Sequence, residues 1–498
     1  MKFDVAIVGA GPAGLTAATC VARSGLSVVV LDEYYRPGGR LLGQIYEDRR
    51  KPAGQREWNG QAFAAALEAQ LREAGGRILP GQTVWDIEAG WTLHLAPGPD
   101  RELTARAVII ATGAMERAVP VPGWTLPGVM TIGAAQVLTN VHNIAPGERV
   151  LVVGMDALSL SITGEMIAAG VEVVGVVLPP PGAFAGDLGV PKEVIGELSR
   201  AAALAPNLAL RLGGHVFGGA LRGVAAHLAR VEVLRAWGVP LRLRTSVIEI
   251  IGRERVEAAV LCRVDASGRL GDKSDTVSVD AVCISGGLSP LSDLVRIAGA
   301  PVVEVPQLGG IVPVHGPRLE TRVPGLFLAG NVIGVEGAAV AAAQGSVAAI
   351  GAMRYLGVIQ NDEAERALAE AQNDVVRARR SQAFQFLPKV EEGHRYVDAI
   401  WRDERPLRST PISFGLVGPP ALTVCRCEGV SLAEVLGAFD DGATAVAGVK
   451  KRTRACMGRC QGRVCEDVLL RLALSRGQPN LLRHRPRVPA RPVRMSEF

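Results

Sequence analysis

Residues 3–32 read FDVAIVGAGPAGLTAATCVARSGLSVVVLD, and this stretch decides the fold. Phe3 to Val8 is a short apolar strand that runs directly into Gly9-Ala10-Gly11-Pro12-Ala13-Gly14. An Ala-rich helical segment follows, then Leu26 to Leu31 as a second strand ending in Asp32. Strand, glycine turn, helix and strand in this order form the βαβ unit that binds a dinucleotide. Gly9 permits the tight turn, Gly11 lets backbone approach a pyrophosphate, and Gly14 lets the helix pack close to the sheet. The helix N-terminus then offers free N–H groups to the phosphates. Asp32 lies where an acid can accept hydrogen bonds from an adenosine ribose.

Three later stretches extend the pattern: Pro37-Gly38-Gly39-Arg40, then Val108 to Gly113 (VIIATG), then Gly325 to Asn331 (GLFLAGN) about two hundred residues on. Together they resemble the two-dinucleotide-domain flavoproteins of the pyridine-nucleotide–disulfide-oxidoreductase superfamily. The resemblance implies FAD, with contacts from Gly9, Gly11, Pro12, Ala13, Gly14, Asp32, Glu33, Gly39, Arg40, Ala111, Thr112, Gly113, Gly330 and Asn331. The family usually carries Asp where this chain has Asn331, which keeps a hydrogen-bonding side chain without its charge. That family also places an NAD(P)H domain between the two flavin segments. A strand does occur there, Arg149 to Val153, followed by Gly154-Met155-Asp156-Ala157-Leu158-Ser159. Asp156 stands at the second glycine position, where a side chain crowds a pyrophosphate and a carboxylate repels it, and Ser159 replaces the third. The following strand, Val171 to Leu178, ends in three prolines rather than a ribose-binding acid or arginine. The fold of this segment is expected to persist without nicotinamide binding. Disulfide chemistry is set aside, because residues 38–52 contain no Cys and Cys262 and Cys283 are far apart.

The chain has 498 residues, 48% of them apolar, with 59 Gly and 31 Pro, which suits a turn-rich α/β protein of several domains. A formal charge of +5 over this length supplies no concentrated basic face, so no nucleic-acid partner is expected. The first strand begins at Lys2 with no apolar leader, which predicts a cytoplasmic protein. Gly337 to Ile359 is apolar enough to be weighed as a membrane span. It follows a strand and turn, so it is read as a buried helix, and membrane association is not indicated.

Eight cysteines are present, and five lie between positions 425 and 465: Cys425, Cys427, Cys456, Cys460 and Cys465. Thiols at such spacings hold a metal, and by count they suit zinc or a [2Fe–2S] cluster equally. A redox cluster has a role beside a flavin, which favours iron. Cys20, Cys262 and Cys283 are read as core. The runs VCRCEGVSLAEVLGAF and VKKRTRACMGRCQGRVCEDVLLRL span some 50 residues, too few to fold well without a metal. They resemble the bacterioferritin-associated-ferredoxin-like (BFD-like) [2Fe–2S] domain. The version in question is fused to flavoprotein (alpha) subunits of bacterial amino-acid and opine dehydrogenases, the type found in opine oxidase, hydrogen cyanide synthase and D-hydroxyproline/proline dehydrogenase. By that pattern the ligands are Cys425, Cys427, Cys460 and Cys465. Cys456 stands where the family usually shows glycine; a set using Cys456 with Cys460, leaving Cys465 spare, stays open.

The expected architecture is α/β. Residues 1–125 and 300–358 form an FAD domain split around an inserted NAD-like domain, 126–299. Helical connector 359–418, small helical [2Fe–2S] domain 419–475 and Pro/Arg-rich tail 476–498 follow. The tail lacks the residues for a core and is expected to be disordered or to lie on a partner. The resemblance implies an electron-transfer subunit that works with a second, substrate-oxidising flavoprotein subunit, joined in some complexes by a small third one. The implied substrate is an amino acid, imino acid or opine. The alternative is a stand-alone NAD(P)H-dependent oxidoreductase that reduces an iron–sulfur or quinone acceptor. No catalytic acid or base is assigned.

Overall fold

The computed structural model describes residues 1–47, 52, 54, 56–200, 234–381, 387–404, 418–477 and 486–497. Two large sheets organise it. The first has the order Arg77–Pro80, Val28–Asp32, Lys2–Val8, Glu102–Ile110, Thr92–Ala96 and Thr83–Glu88, with Leu326–Leu328 also paired to Glu102–Ile110. Lys2–Val8 is parallel to both Val28–Asp32 and Glu102–Ile110. Residues Val28 to Leu31 are buried one after another, as expected of a parallel strand covered on both faces. Leu326–Leu328 joins this sheet from more than two hundred residues downstream, so two distant stretches complete one Rossmann-like layer.

Two helices cross the first sheet side by side, Pro12–Arg23 and Ala338–Tyr355. The second is the apolar segment that follows the Leu326–Leu328 strand. Val340, Ala341, Val347, Ala348 and Ala349 lie in the same core as Val5, Ile7 and Val30. Gly345 makes the approach possible, since a Cβ there would sit 2.3 Å from the Ala13 carbonyl oxygen. Among the described residues no helix is long and apolar enough to cross a membrane.

The second sheet runs Val129–Thr131, Ala281–Ile284, Arg149–Val153, Glu172–Leu178, Val239–Ile251, Ala258–Val264 and Leu270–Ser278. Its first five strands are parallel, and the last two pairings are antiparallel. One face packs on Ile132, Ile162 and Met166 of flanking helices. The other face, with Leu151, Val153, Val247 and Ile250, shares a core with Val121 and Trp124 of the preceding loop and with Val424, Leu432, Val468 and Leu469 of the Cys-rich segment. That segment therefore does not rely on a metal alone for a core. Trp124 Nε1 donates to Thr423 O at 2.8 Å, and Arg471 donates to Phe184 O at 2.6 Å.

The tail differs from expectation. Its described part, residues 486–497, lies on the chain's own first sheet. Ala490 is buried there and donates its N–H to Trp85 O at 2.7 Å, while Arg101 donates to Ser496 O. The cause is charge: Arg491 bonds Glu33 at 2.8 Å and lies 3.8 Å from Asp293, which also pairs with Arg463 of the Cys-rich loop at 2.9 Å. A sequence window shows neither acid beside this arginine.

The packing at Gly345 gives a direct test. Gly345→Ala forces the Ala338–Tyr355 helix away from Pro12–Arg23 and should destabilise by about 1–3 kcal/mol, the usual cost of overpacking. The measurement is thermal unfolding followed by FAD release. An unchanged transition would show that the two helices tolerate a wider spacing.

Candidate cofactor sites

The glycine turn is built by backbone crowding on one side and open space on the other. Gly9 has φ +109°, and a Cβ there would lie 2.3 Å from Ala111 O. A Cβ on Gly14 would lie 1.9 Å from Gly9 O. Gly11 and Gly113, by contrast, would project a Cβ into space empty for 4 Å. Gly39, at φ +55°, has its would-be Cβ 3.3 Å from the Gly11 Cα. Gly11, Gly39 and Gly113 thus leave a concavity lined by main chain. The helix Pro12–Arg23 starts there with no side-chain cap, so its first-turn N–H groups remain available to an anion.

Asp32 holds the rim. Its carboxylate accepts from Ala10 N at 2.5 Å and from Tyr34 N at 2.8 Å, while burial raises its pKa against those two donors. Each oxygen retains a lone pair for a further hydroxyl. Glu33 points the other way, to Arg491. Arg40 is exposed, and its Nε donates to Ala114 O at 2.9 Å. The Ala111-Thr112-Gly113 turn is tied to Leu291 by two bonds, Thr112 Oγ1 to Leu291 O and Leu291 N to Gly113 O. Gly330 and Asn331 sit at the start of the turn before Ala338–Tyr355, where a Cβ on Gly330 would lie 2.8 Å from the Ala13 Cβ. The chain's fit to a dinucleotide rests on this uncapped helix and glycine-lined hollow.

Sequence reasoning missed what braces that last turn. Gly330 N donates to Gln344 Oε1 (3.1 Å), Gln344 Nε2 to Glu336 Oε1 (3.0 Å), and Glu336 N to Asn331 Oδ1 (3.3 Å). Glu336 is buried and ion-paired with Arg379 and His394. Those two partners come from Asn361–Ser381 and Leu387–Trp401, the helices of the expected connector. No spacing signal links residue 336 to 379 and 394; only the packed structure does.

The second glycine turn has the opposite character. Gly154 keeps φ +109°, but Asp156 caps the helix Ala157–Ala168. Its carboxylate accepts from Ser159 N at 2.8 Å and from Ser285 Oγ at 2.6 Å, and Ser159 Oγ accepts from Asp156 N at 3.0 Å. A capping box fills the place an anion would take, with a negative charge. The two residues that break the fingerprint are the two that build the cap.

All five clustered cysteines converge. Sγ–Sγ distances are 4.0 Å for Cys425–Cys427, 3.6 Å for Cys427–Cys460 and 3.5 Å for Cys456–Cys465. A tetrahedral metal bound to sulfur at about 2.3 Å spaces its sulfurs by about 3.8 Å, so these pairs lie at ligand separation. Cys425, Cys456 and Cys465 are fully buried, Cys460 is half-buried and Cys427 is exposed. Gly458 must be glycine, since a Cβ would sit 2.5 Å from Cys427 Sγ. The Cys465 thiol and burial push the Cys425 thiol up, and burial pushes up Cys460. An all-sulfur donor set at these separations fits an iron–sulfur cluster. Of the three remaining cysteines, Cys262 and Cys283 are buried and Cys20 is half-buried.

Known protein families match the regions that carry these residues. The pyridine nucleotide-disulphide oxidoreductase family matches residues 3–180, the BFD-like [2Fe-2S] binding domain matches 423–472, and the glucose inhibited division protein A family matches 313–359. The chain is 27% identical over 520 residues to an opine oxidase subunit of Agrobacterium tumefaciens (strain Ach5), covering 100% of this chain and 91% of that one. It is 28% identical to hydrogen cyanide synthase subunit HcnB of Pseudomonas aeruginosa, covering 100% and 98%. L-proline dehydrogenase from P. horikoshii shares the fold with a TM-score of 0.66 at 19% identity, over 100% of this chain and 79% of that one. The chain is an FAD-dependent oxidoreductase whose cofactors are FAD and a [2Fe-2S] cluster. It is a homologue of the opine oxidase and hydrogen cyanide synthase subunits.

The ion pairs at Glu336 set a pH dependence. Burial works against the Glu336 charge, but His394 and Arg379 outweigh it and hold its pKa at about 2, below the ordinary 4.5. A depressed acid contributes its stability above the unfolded pKa and loses it as pH falls through the folded one. Glu336→Gln should therefore cost about 3 kcal/mol at neutral pH, with the gap to the parent chain closing between pH 4.5 and 2 in urea titrations. A gap independent of pH would show that shape rather than charge matters there. Separately, Cys427→Ala and Cys460→Ala should each abolish iron and labile sulfide while FAD stays bound. Zinc at stoichiometry in the parent chain would contradict the assignment.

Proposed function

We propose that this chain is the electron-transferring FAD/[2Fe–2S] subunit of a heteromeric dehydrogenase or oxidase that oxidises an amino acid, imino acid or opine at a carbon beside nitrogen. FAD would lie along Gly9, Gly11, Pro12, Ala13 and Gly14, with Asp32 on the ribose. Glu33, Gly39, Arg40, Ala111, Thr112, Gly113, Gly330 and Asn331 complete the assignment. Cys425, Cys427, Cys460 and Cys465 would hold the cluster. The domain limits expected from the sequence are proposed with it. FAD exchanges electrons in pairs, and the cluster takes them singly.

The single observation that carries this reading is the contrast between the two glycine turns. One helix N-terminus is open, and the other is closed by the Asp156–Ser159 box with Ser285 behind it. A flavoprotein with a nicotinamide turn blocked by a carboxylate must exchange electrons with something other than NAD(P)H. The thiol cluster provides a route, because its Cys427–Cys460 edge reaches the surface among exposed Arg426, Met457 and Arg459. The homologues named as subunits support a partner, and the names opine oxidase and L-proline dehydrogenase support the substrate class. The partner of this reading is a second flavoprotein subunit that performs the substrate chemistry, with room for a small third subunit.

The test is reduction under anaerobic conditions. Micromolar NADH or NADPH should leave the flavin of the isolated chain oxidised over minutes. The chain alone should not turn over proline, hydroxyproline, sarcosine or opines with a dye acceptor, and activity should appear on co-expression with its partner subunit. Rapid bleaching by NADH would favour the stand-alone reductase. Full turnover by the isolated chain would refute the subunit reading.

A further inference from the structure

We propose that Cys456 is an exchangeable ligand of the cluster, able to replace Cys465 on its buried side. The inference rests on the reading that Cys425, Cys427 and Cys460 are ligands, and it concerns the fourth position.

Three observations carry it. Cys456 Sγ lies 3.5 Å from Cys465 Sγ. The two sulfurs therefore stand next to each other on the buried side of the thiol group. Cys456 is fully buried, so no water competes with it for a metal. Its main chain stands at φ +65°, a left-handed conformation that glycine adopts freely and a side chain does not. Such a residue persists where its surroundings hold it, and such sites cluster where function needs them. The loop is wound to suit: Arg454 and Gln461 are also left-handed, at +67° and +50°, so residues 454–461 coil around the thiols. The result is a cluster site with an exposed edge of two thiols, Cys427 and Cys460, and a buried edge of three.

The chemistry is a ligand exchange, with no net redox change. The incoming Cys456 thiol gives up its proton as its sulfur bonds to iron. The departing Cys465 thiolate takes a proton as its bond to iron breaks. A site with a second thiol in reach recaptures iron when one bond opens, so cluster loss is slowed.

The experiment uses the full-length chain, loaded with FAD and cluster under anaerobic conditions. The variants are Cys456→Gly, Cys465→Ala, the double variant and Cys427→Ala. Glycine is chosen at 456 because it removes the thiol while relieving the left-handed backbone. The readouts are iron and labile sulfide per FAD, the electron paramagnetic resonance spectrum after dithionite reduction, and the rate of iron release to a chelator. Both single variants at the buried edge should keep two irons and two sulfides. Cys465→Ala should show a shifted resonance spectrum, and the double variant should retain FAD without iron. Loss of iron from Cys465→Ala with FAD retained would overturn the exchange. A full cluster in Cys427→Ala would instead overturn the underlying ligand reading. Should Cys465→Ala fail to accumulate, the chelator assay decides. Cys456→Gly should then release iron several-fold faster than the parent chain, and an equal rate would refute the proposal.

Discussion

The structure depends on close backbone approach at one turn. Gly9 presses against Ala111, Gly14 against Gly9, and Gly345 against Ala13, each where a single methyl group would collide with a carbonyl oxygen. These contacts gather residues near 10, 110 and 340 within one patch. They force the strands Lys2–Val8, Glu102–Ile110 and Leu326–Leu328 into neighbouring places in one sheet. The glycines that would meet nothing, Gly11 and Gly113, stand on the side left open. Packing demand and cofactor access are thus two faces of the same turn.

Legibility in the sequence followed how local the cause was. The βαβ unit at 3–32 was readable because its strand, turn and helix signals are contiguous. Asp156 and Ser159 were readable as an obstruction, though not as a capping box closed from behind by Ser285, a residue 129 positions away. Convergence of the five thiols was readable from spacing. The depth at which each lies was not: Cys427 exposed and Cys425 buried, two positions apart, reflects where the short hairpin Thr423–Cys425 and Val430–Ser431 ends. Glu336 was invisible as a site residue, because its partners Arg379 and His394 come from helices with only ordinary amphipathic patterns. The tail was misread for a related reason. A Pro/Arg-rich segment lacks its own core, yet it needs only one buried alanine and one well-placed arginine to bind a surface that already exists.

The connector and the tail change how the parts of the chain are coupled. Arg379 and His394 both bond a buried carboxylate whose own amide holds Asn331, in the turn assigned to the flavin. Arg491 reaches Glu33 beside the ribose acid and approaches Asp293, which in turn pairs with Arg463 between Cys460 and Cys465. Isolated surface pairs contribute little, about 0–1 kcal/mol each. Here Arg491, Asp293 and Arg463 are half-buried, Glu33 alone is exposed, and the four lie in a row, so their effect is to fix orientation. The row runs from the residue beside Asp32 to the loop that carries two of the assigned ligands, which holds the cluster segment in one attitude to the first sheet.

The closed second turn explains why such fixed attitude matters. A helix N-terminus can spend its free N–H groups on a bound pyrophosphate or on a capping side chain, and the two uses exclude each other. With Asp156 the helix Ala157–Ala168 gains a cap worth about 1 kcal/mol and keeps it permanently. The same carboxylate then opposes any dinucleotide phosphate at that turn. In the proposed subunit reading, electrons enter or leave through a neighbour held at a defined place. The second sheet offers an apolar face, with Leu151, Val153, Val247 and Ile250, as the bed on which the Cys-rich segment rests. The capped helix and the Cys-rich segment cover opposite faces of this one sheet, so the closed turn and the seat of the thiols belong to a single packed layer.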